Sequence, residues 1–286
     1  YMIEKLKILE PQNEYVTKII RTSGDDGDIQ VMGAFTSAIQ RALLDKRVDI
    51  AVHSYKDLPI EQVPGLVLGA ISEREDVRDA LLSKHGKTLR ELPIGAIVGT
   101  GSLRRQIQLQ QIRPDLEIKF IQGNLDSRIK KMQEGDYHAI ILAVAGLKRL
   151  GMLDQVTEFL TQEEMIPAVC QGALALEIRD GDKGTAALVK KLNNEDVLLE
   201  TDAERSFLTA LGGGCNFPMA AYAKIDGSSI KINGLYASAD GSIVEVDSIE
   251  GHKNGATRLA SQLAINLMER VRTRKFQAES TSNEAT

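Results

Sequence analysis

Apolar and polar positions change rhythm along this chain, and each change marks an element. In "AFTSAIQRALLDKR" (34–47), Phe35, Ile39, Leu43 and Leu44 share one stripe at helical spacing, which predicts an amphipathic helix. The near-continuous apolar run in "VDIAVHS" (48–54) then reads as a strand. The alternation continues with strand "GAIVGT" (95–100), helix "GSLRRQIQLQQI" (101–112) ended by Pro114, and strand "EIKFIQG" (117–123). Helix "DSRIKKMQEG" (126–135) and strand "AIILAVAG" (139–146) follow. Strands and helices in turn predict an α/β region with a largely parallel, buried sheet.

The last third has a different texture. "DAERSFLTALGGG" (202–214) reads as a helix closed by glycines. "AAYAKID", "SIKINGLYAS" and "SIVEVDSIEG" are short alternating runs, with Asp240-Gly241 a hairpin turn signal between the last two. "TRLASQLAINLMERVR" (257–272) is a closing amphipathic helix, and 277–286 reads as a frayed polar tail. This end of the chain is predicted to be a small α+β domain.

Composition narrows the function classes. At 286 residues and 43% apolar, the chain can bury a real core and form two or three domains. A net charge of -5 offers no basic excess for nucleic acid. The longest apolar run, "AIILAVAGL" (139–147), falls well short of the ~20 residues a membrane helix needs, so no membrane span is expected. Cys170 and Cys215 are the two cysteines; they make no disulfide framework and fit a reducing, cytoplasmic setting. Aromatics are 4% with no Trp, so recognition must use charge and hydrogen bonds rather than stacking.

Candidate chemistry gathers where strands end. "HSYKDLP" (53–59) closes a buried strand and at once presents Ser54, Lys56 and Asp57. Ligands in open α/β sheets sit at such carboxyl ends, although a surface Lys–Asp pair in a turn fits the same letters. "GTGSLRRQIQLQQ" (99–111) offers the hydroxyls of Thr100 and Ser102 and opens a helix with Arg104 and Arg105. Two arginines in a first turn oppose the helix dipole, so anion binding would explain them; a solvated basic turn is the alternative. The P-loop spacing is absent. Arg128 after "IQGN" and Lys148 and Arg149 after 139–146 repeat the theme, and together suggest one cleft for a polyanion. Cys215 follows three glycines. No neighbouring histidine supports a nucleophile, and no ligand spacing supports a metal; an inert thiol in a turn and a covalent attachment point both stay open.

Taken in order, "AVHSYKDLP" (51–59), "VGTGSLRRQIQL" (98–109), "RPDLEIKF" (113–120), "DYHAIILAVAGLKRLG" (136–151), "PAVCQGALALEIR" (167–179) and "ERSFLTALGGGCNFPMAAY" (204–222) resemble the porphobilinogen deaminase (hydroxymethylbilane synthase) family. The resemblance implies two α/β lobes like those of periplasmic binding proteins plus a small α+β C-terminal domain. The lobes would be residues 1–72 with 173–190, and 78–166; the third domain would be 195–276. It further implies a dipyrromethane cofactor held by a thioether to Cys215, Asp57 as the catalytic carboxylate, and Ser54, Lys56, Thr100, Ser102, Arg104, Arg105 and Arg128 as cofactor-binding groups. Arg149 and Gln122 would meet the substrate. The activity implied is head-to-tail joining of four porphobilinogen molecules by a cytoplasmic monomer.

The chain also departs from the family pattern. It begins at Tyr1, after the place of the family's first strand with its Gly-Ser-Arg motif. The 25–33 loop looks short and lacks the expected lysine, Gln122 stands for an arginine, and Cys170 stands for a glycine. An anion-binding two-lobed protein without catalysis, or a truncated inactive homologue, would share these letters.

Overall fold

The computed structural model describes residues 1–20, 36–212 and 218–284; the expected short loop at 25–33 lies outside them. In chain order the elements begin with α1 (Met2–Leu9), α2 (Ser37–Leu44), β1 (Ala51–Ser54) and β2 (Leu66–Ile71). They continue with β3 (Asp79–Ser83), β4 (Ile97–Gly99), α3 (Leu103–Ile112), β5 (Glu117–Lys119), α4 (Leu125–Glu134), β6 (Ala139–Ala143), α5 (Val144–Arg149) and β7 (Glu158–Phe159). The chain then returns through β8 (Leu174–Arg179) and α6 (Lys183–Lys190). It ends with α7 (Glu195–Ala210), β9 (Met219–Asp226), β10 (Ser229–Ala237), β11 (Val244–His252) and α8 (Ala256–Glu284). This is an α/β fold with an α+β C-terminal part.

Local chemistry sets the helix starts. Asn124, Asp182 and Asn194 cap α4, α6 and α7, each accepting a bond from the backbone N–H three residues on. Glu195 and Asp196 add favourable charge to the first turn of α7.

Three sheets are described, and the expectation of a largely parallel sheet is corrected. In the five-stranded sheet, ordered β5-β4-β6-β3-β7, β4 runs parallel to β5 and β6, but β3 runs antiparallel to β6 and β7. In the sheet β1-β8-β2, the returning β8 lies antiparallel between its neighbours. The reason lies in burial. Leu81 and Ile141 pack on one face of the five-stranded sheet, Ala80, Leu82, Ile140 and Leu142 on the other. A strand covered on both faces reads as an unbroken apolar run in either direction. The third sheet, β11-β10-β9, is the predicted antiparallel unit, with Gly241 (φ 71) in the β10–β11 turn. Phe207 of α7 and Leu263 and Leu267 of α8 cover one of its faces; Val77 and Ile166 pack on the other through Tyr222 and Leu235.

Two further expectations are corrected. The polar end is not frayed over 277–284: α8 runs on through Glu284. No Gly or Pro interrupts it, and extending a formed helix needs no new nucleation. Strand β6 stops at Ala143, because α5 begins directly at Val144.

The chain crosses twice between the first two sheets, at residues 72–78 and 160–173, and α7 locks both crossings. Arg74 makes a bidentate pair with Glu204 at 2.7 and 3.0 Å, lies 3.5 Å from Glu200, and donates to the Gln171 carbonyl at 3.0 Å. Glu204 also accepts from the backbone N–H groups of Cys170 and Ala223. Burial opposes the charge on Arg74, but Glu204 outweighs it and raises the guanidinium pKa. For Glu204 burial prevails and lifts its pKa despite Arg74. With two guanidinium and two amide donors around it, the carboxylate form is the one that satisfies the site. Cys170, fully buried, holds a left-handed φ of 62°, and burial pushes its thiol pKa well up, which makes it an inert structural thiol.

Arg74→Met leaves the Glu204 carboxylate buried without its partner and is expected to cost about 3–5 kcal/mol. Urea unfolding of the two proteins measures this; a loss under about 1 kcal/mol would show that the pair is not the lock.

Candidate active site

Strand β1 ends at Ser54 because Tyr55–Asp57 coil into a single 3-10 turn. The turn is anchored by the Tyr55 N–H, which donates to the Ala173 carbonyl at 3.0 Å. The Tyr55 ring is buried, with Arg205 stacked 4.9 Å above it. Anchoring Tyr55 inward turns Ser54, Lys56 and Asp57 toward a cavity of about 180 Å³. Arg105, Arg128 and Arg149 line the same cavity, as do Gln171 and Gly172 from the second crossing. One carboxylate and four cations, delivered by four segments, therefore surround a single space.

The cations differ in how they are held. Arg149 donates to the Gly172 carbonyl at 2.7 Å, and burial lowers its pKa. Arg128 sits in the first turn of α4; burial first, then Arg105, brings its pKa down to about 10, with Asp57 opposing. Its buried Nε meets no acceptor among the described residues. Lys56 is exposed along the cleft by surface area, yet protein atoms crowd its ammonium. That crowding, with Arg105 and Arg104 adding to it and Asp57 and Asp79 opposing, lowers its pKa to about 8.

Several expected site residues face elsewhere. Arg104 turns inward: it donates to the Ile166 carbonyl at 2.7 Å and lies 2.7 Å from Asp79 Oδ2, an ion pair poorly angled for a hydrogen bond. Arg105 reaches Asp79 Oδ1 at 2.7 Å and the Ile141 carbonyl at 3.0 Å, while its side chain also borders the cavity. Thr100 is buried, and its hydroxyl accepts from the Ser102 N–H at 3.2 Å; this pair shapes the start of α3. Neither residue is among those lining the cavity, nor is the half-buried Gln122. Cys215 lies outside the described residues.

Two residues of the site were missed from sequence. Asp79 is fully buried in β3 and neutralises both arginines. Burial alone would raise its pKa; Arg104 and Arg105 outweigh it and hold the carboxyl well below the usual range. An acidic residue opening the apolar run "DALL" was the available signal, since such a carboxylate needs a cationic partner. Gln171 links Lys56 to this cluster. Beside it, Gly172 has φ 91°, and a Cβ there would sit 2.4 Å from the Glu75 carbonyl oxygen, so only glycine fits the crossing.

Asp79→Asn leaves two buried guanidiniums uncompensated, and about 3–5 kcal/mol of stability should go at neutral pH. Because the folded pKa is depressed, this contribution is present above the ordinary carboxylate value and lost as pH falls through the folded one. The gap between wild type and variant in urea midpoints should therefore narrow below about pH 4. A gap independent of pH would contradict the charge assignment.

The family model for the porphobilinogen deaminase dipyromethane cofactor binding domain matches residues 1–187, and that for the porphobilinogen deaminase C-terminal domain matches 198–270. The chain is 45% identical over 285 residues to the porphobilinogen deaminase of Lysinibacillus sphaericus, covering 95% of this chain and 92% of that one. To the porphobilinogen deaminase of Bacillus subtilis it is 44% identical over 286 residues, covering 95% and 91%. A solved structure, a probable amino-acid ABC transporter extracellular-binding protein from Bacillus subtilis, is 13% identical with a TM-score of 0.39, covering 70% of this chain and 81% of that one. That likeness adds nothing to the topology given above. On the matches along its length, the chain belongs to the porphobilinogen deaminase family.

Proposed function

We propose that this chain joins four porphobilinogen molecules head to tail, releasing ammonia at each step, and frees the linear tetrapyrrole hydroxymethylbilane by hydrolysis. The observation that carries the reading is the placement of Asp57 inside a ring of cations, Lys56, Arg105, Arg128 and Arg149, around one cavity. Each substrate pyrrole bears an acetate and a propionate, so the growing product is a polyanion. Arginines can grip such carboxylates in bidentate fashion, and the Arg128 Nε, which meets no acceptor among the described residues, is a donor such a carboxylate could take up.

A covalent dipyrromethane fits these residues for the same reason, since its side chains are the same carboxylates. We assign its thioether to Cys215, with Ser54, Lys56 and Arg128 among its carboxylate partners. When bound, it supplies the free pyrrole carbon to which the first substrate unit is joined.

Asp57 has the central chemical role. The C–N bond of the substrate aminomethyl group breaks, and the nitrogen leaves as ammonia after taking a proton. The methylene carbon left behind is electron-poor, with positive charge spread to the pyrrole nitrogen. A carboxylate beside that nitrogen stabilises the charge. A new C–C bond forms from the terminal pyrrole carbon of the chain being extended, which then loses its proton. Asp57 is placed to pass protons between these steps. Lys56 and Arg105 offset the charge of the incoming carboxylates so that they can approach Asp57. We place Arg149 and Gln122 on the substrate, and Thr100, Ser102 and Arg104 behind the site as its support. We also read the chain as three domains, 1–72 with 173–190, 78–166 and 195–276, acting as a cytoplasmic monomer. No helix among the described residues is long and apolar enough to cross a membrane.

Intact-mass measurement tests the attachment. Wild type should carry the mass of a dipyrromethane, and Cys215→Ala should lose it; an adduct that persists in that variant would move the attachment elsewhere. Asp57→Asn should keep the adduct while turnover drops by a factor on the order of 10² or more. Full turnover in that variant would remove Asp57 from the chemistry and leave an anion-binding role for the cavity.

A further inference from the structure

We propose that Gln171 is a positioning residue: its side-chain amide holds the Lys56 ammonium in place at the cavity wall by tying it to the Asp79–arginine cluster across the crossing. The proposal rests on the reading that Lys56 faces the substrate, and it assigns the task of holding that lysine to a residue that itself has no charge.

The orientation of the amide is forced. The Gln171 Nε2 group lies 2.8 Å from the Val77 carbonyl and 2.9 Å from Asp79 Oδ1. Both are acceptors, so both must face the NH2 group. The amide oxygen is then left pointing at Lys56 Nζ, 3.2 Å away. A flipped amide would set its oxygen against two oxygens and its NH2 against an ammonium. A residue without both an acceptor and two donors cannot make this set of contacts.

The backbone beneath the amide is equally constrained. Gln171 is fully buried between two left-handed positions, Cys170 and Gly172. Its N–H donates to the Ala168 carbonyl at 2.9 Å, and its own carbonyl accepts from Arg74. The neighbouring Gly172 carbonyl accepts from Arg149 and from the Glu75 N–H. An amide mounted on such a support can transmit position from one side of the crossing to the other.

Lys56 needs such a hold. Asp57 on its own turn and Asp79 on β3 attract it, while Arg104 and Arg105 on α3 repel it. Arg128 on α4 and Arg149 on α5 line the same cavity and add to the positive field. In that field the Gln171 oxygen accepts a hydrogen bond from the ammonium, and among the described residues it is the side chain that does so. It favours the charged form and fixes the direction in which the ammonium is presented.

The test reads Lys56 directly. In the purified chain labelled with carbon-13 at the lysine ε position, the Lys56 signal is assigned by its loss in Lys56→Arg and followed through a pH titration. Gln171→Met removes the acceptor at similar volume and should lower the Lys56 midpoint by about one unit; Gln171→Glu should raise it by a similar amount. Gln171→Met should also reduce kcat by a larger factor than it raises KM. A Lys56 midpoint that stays at its wild-type value in Gln171→Glu, with only the melting temperature changed, would overturn the proposal. Should Gln171→Met fail to fold, Gln171→Glu alone decides. The underlying reading fails separately: Lys56→Met with unchanged kcat and KM would remove Lys56 from the substrate, whatever the titration shows.

Discussion

Asp79 lies fully buried with two guanidiniums on its carboxylate, and the shape of the cavity depends on that arrangement. Arginines at the start of a helix repel its dipole and one another, and burying them adds a desolvation cost. The carboxylate at the start of β3 offsets these terms and draws α3 onto the sheet. Arg104 is turned to Asp79 and the Ile166 carbonyl. Arg105 is shared, with one side on Asp79 and the other on the cavity. A single buried anion thus supports the helix and orients one of the cations that line the cavity.

The same logic recurs at the crossings. Arg74 and Glu204 are paired out of water, and their other hydrogen bonds go to the main chain of the second crossing and of β9. Asp79 and Gln171 carry the network onward to Lys56. Salt would screen a surface pair, but here the charges are enclosed and their hydrogen bonds are directional. The cavity is consequently not an isolated pocket in one sheet. Its walls come from the end of β1, from α3, α4 and α5, and from the second crossing.

Much of the fold was legible in the letters. Periodicity located α2, α3, α4 and the strands β1, β4 and β6, and the Asp240-Gly241 signal marked the β10–β11 turn. Strand direction was not legible, because Leu81 and Ile141 face one core while Ala80, Leu82 and Ile140 face another. Two-sided burial erases the alternation that would mark an antiparallel partner. The end of α8 was misread for a different reason: polar composition speaks to solvation, not to whether a helix already under way continues.

For the site, sequence alone determined the inventory: a carboxylate and a lysine at the end of one strand, and arginines at the starts or ends of three helices. Those follow from local order, since a strand end and the next turn are neighbours in the chain. Which cations meet the cavity was decided only by the tertiary structure. Arg104 and Arg105 are adjacent letters, yet one is consumed by Asp79 and Ile166 while the other reaches the open space. Asp79 lies 25 or more positions upstream of the arginines it neutralises, and Gln171 sits 115 positions from Lys56. Contacts across such separations depend on how the sheets pack and where the chain crosses back, and no local pattern encodes them.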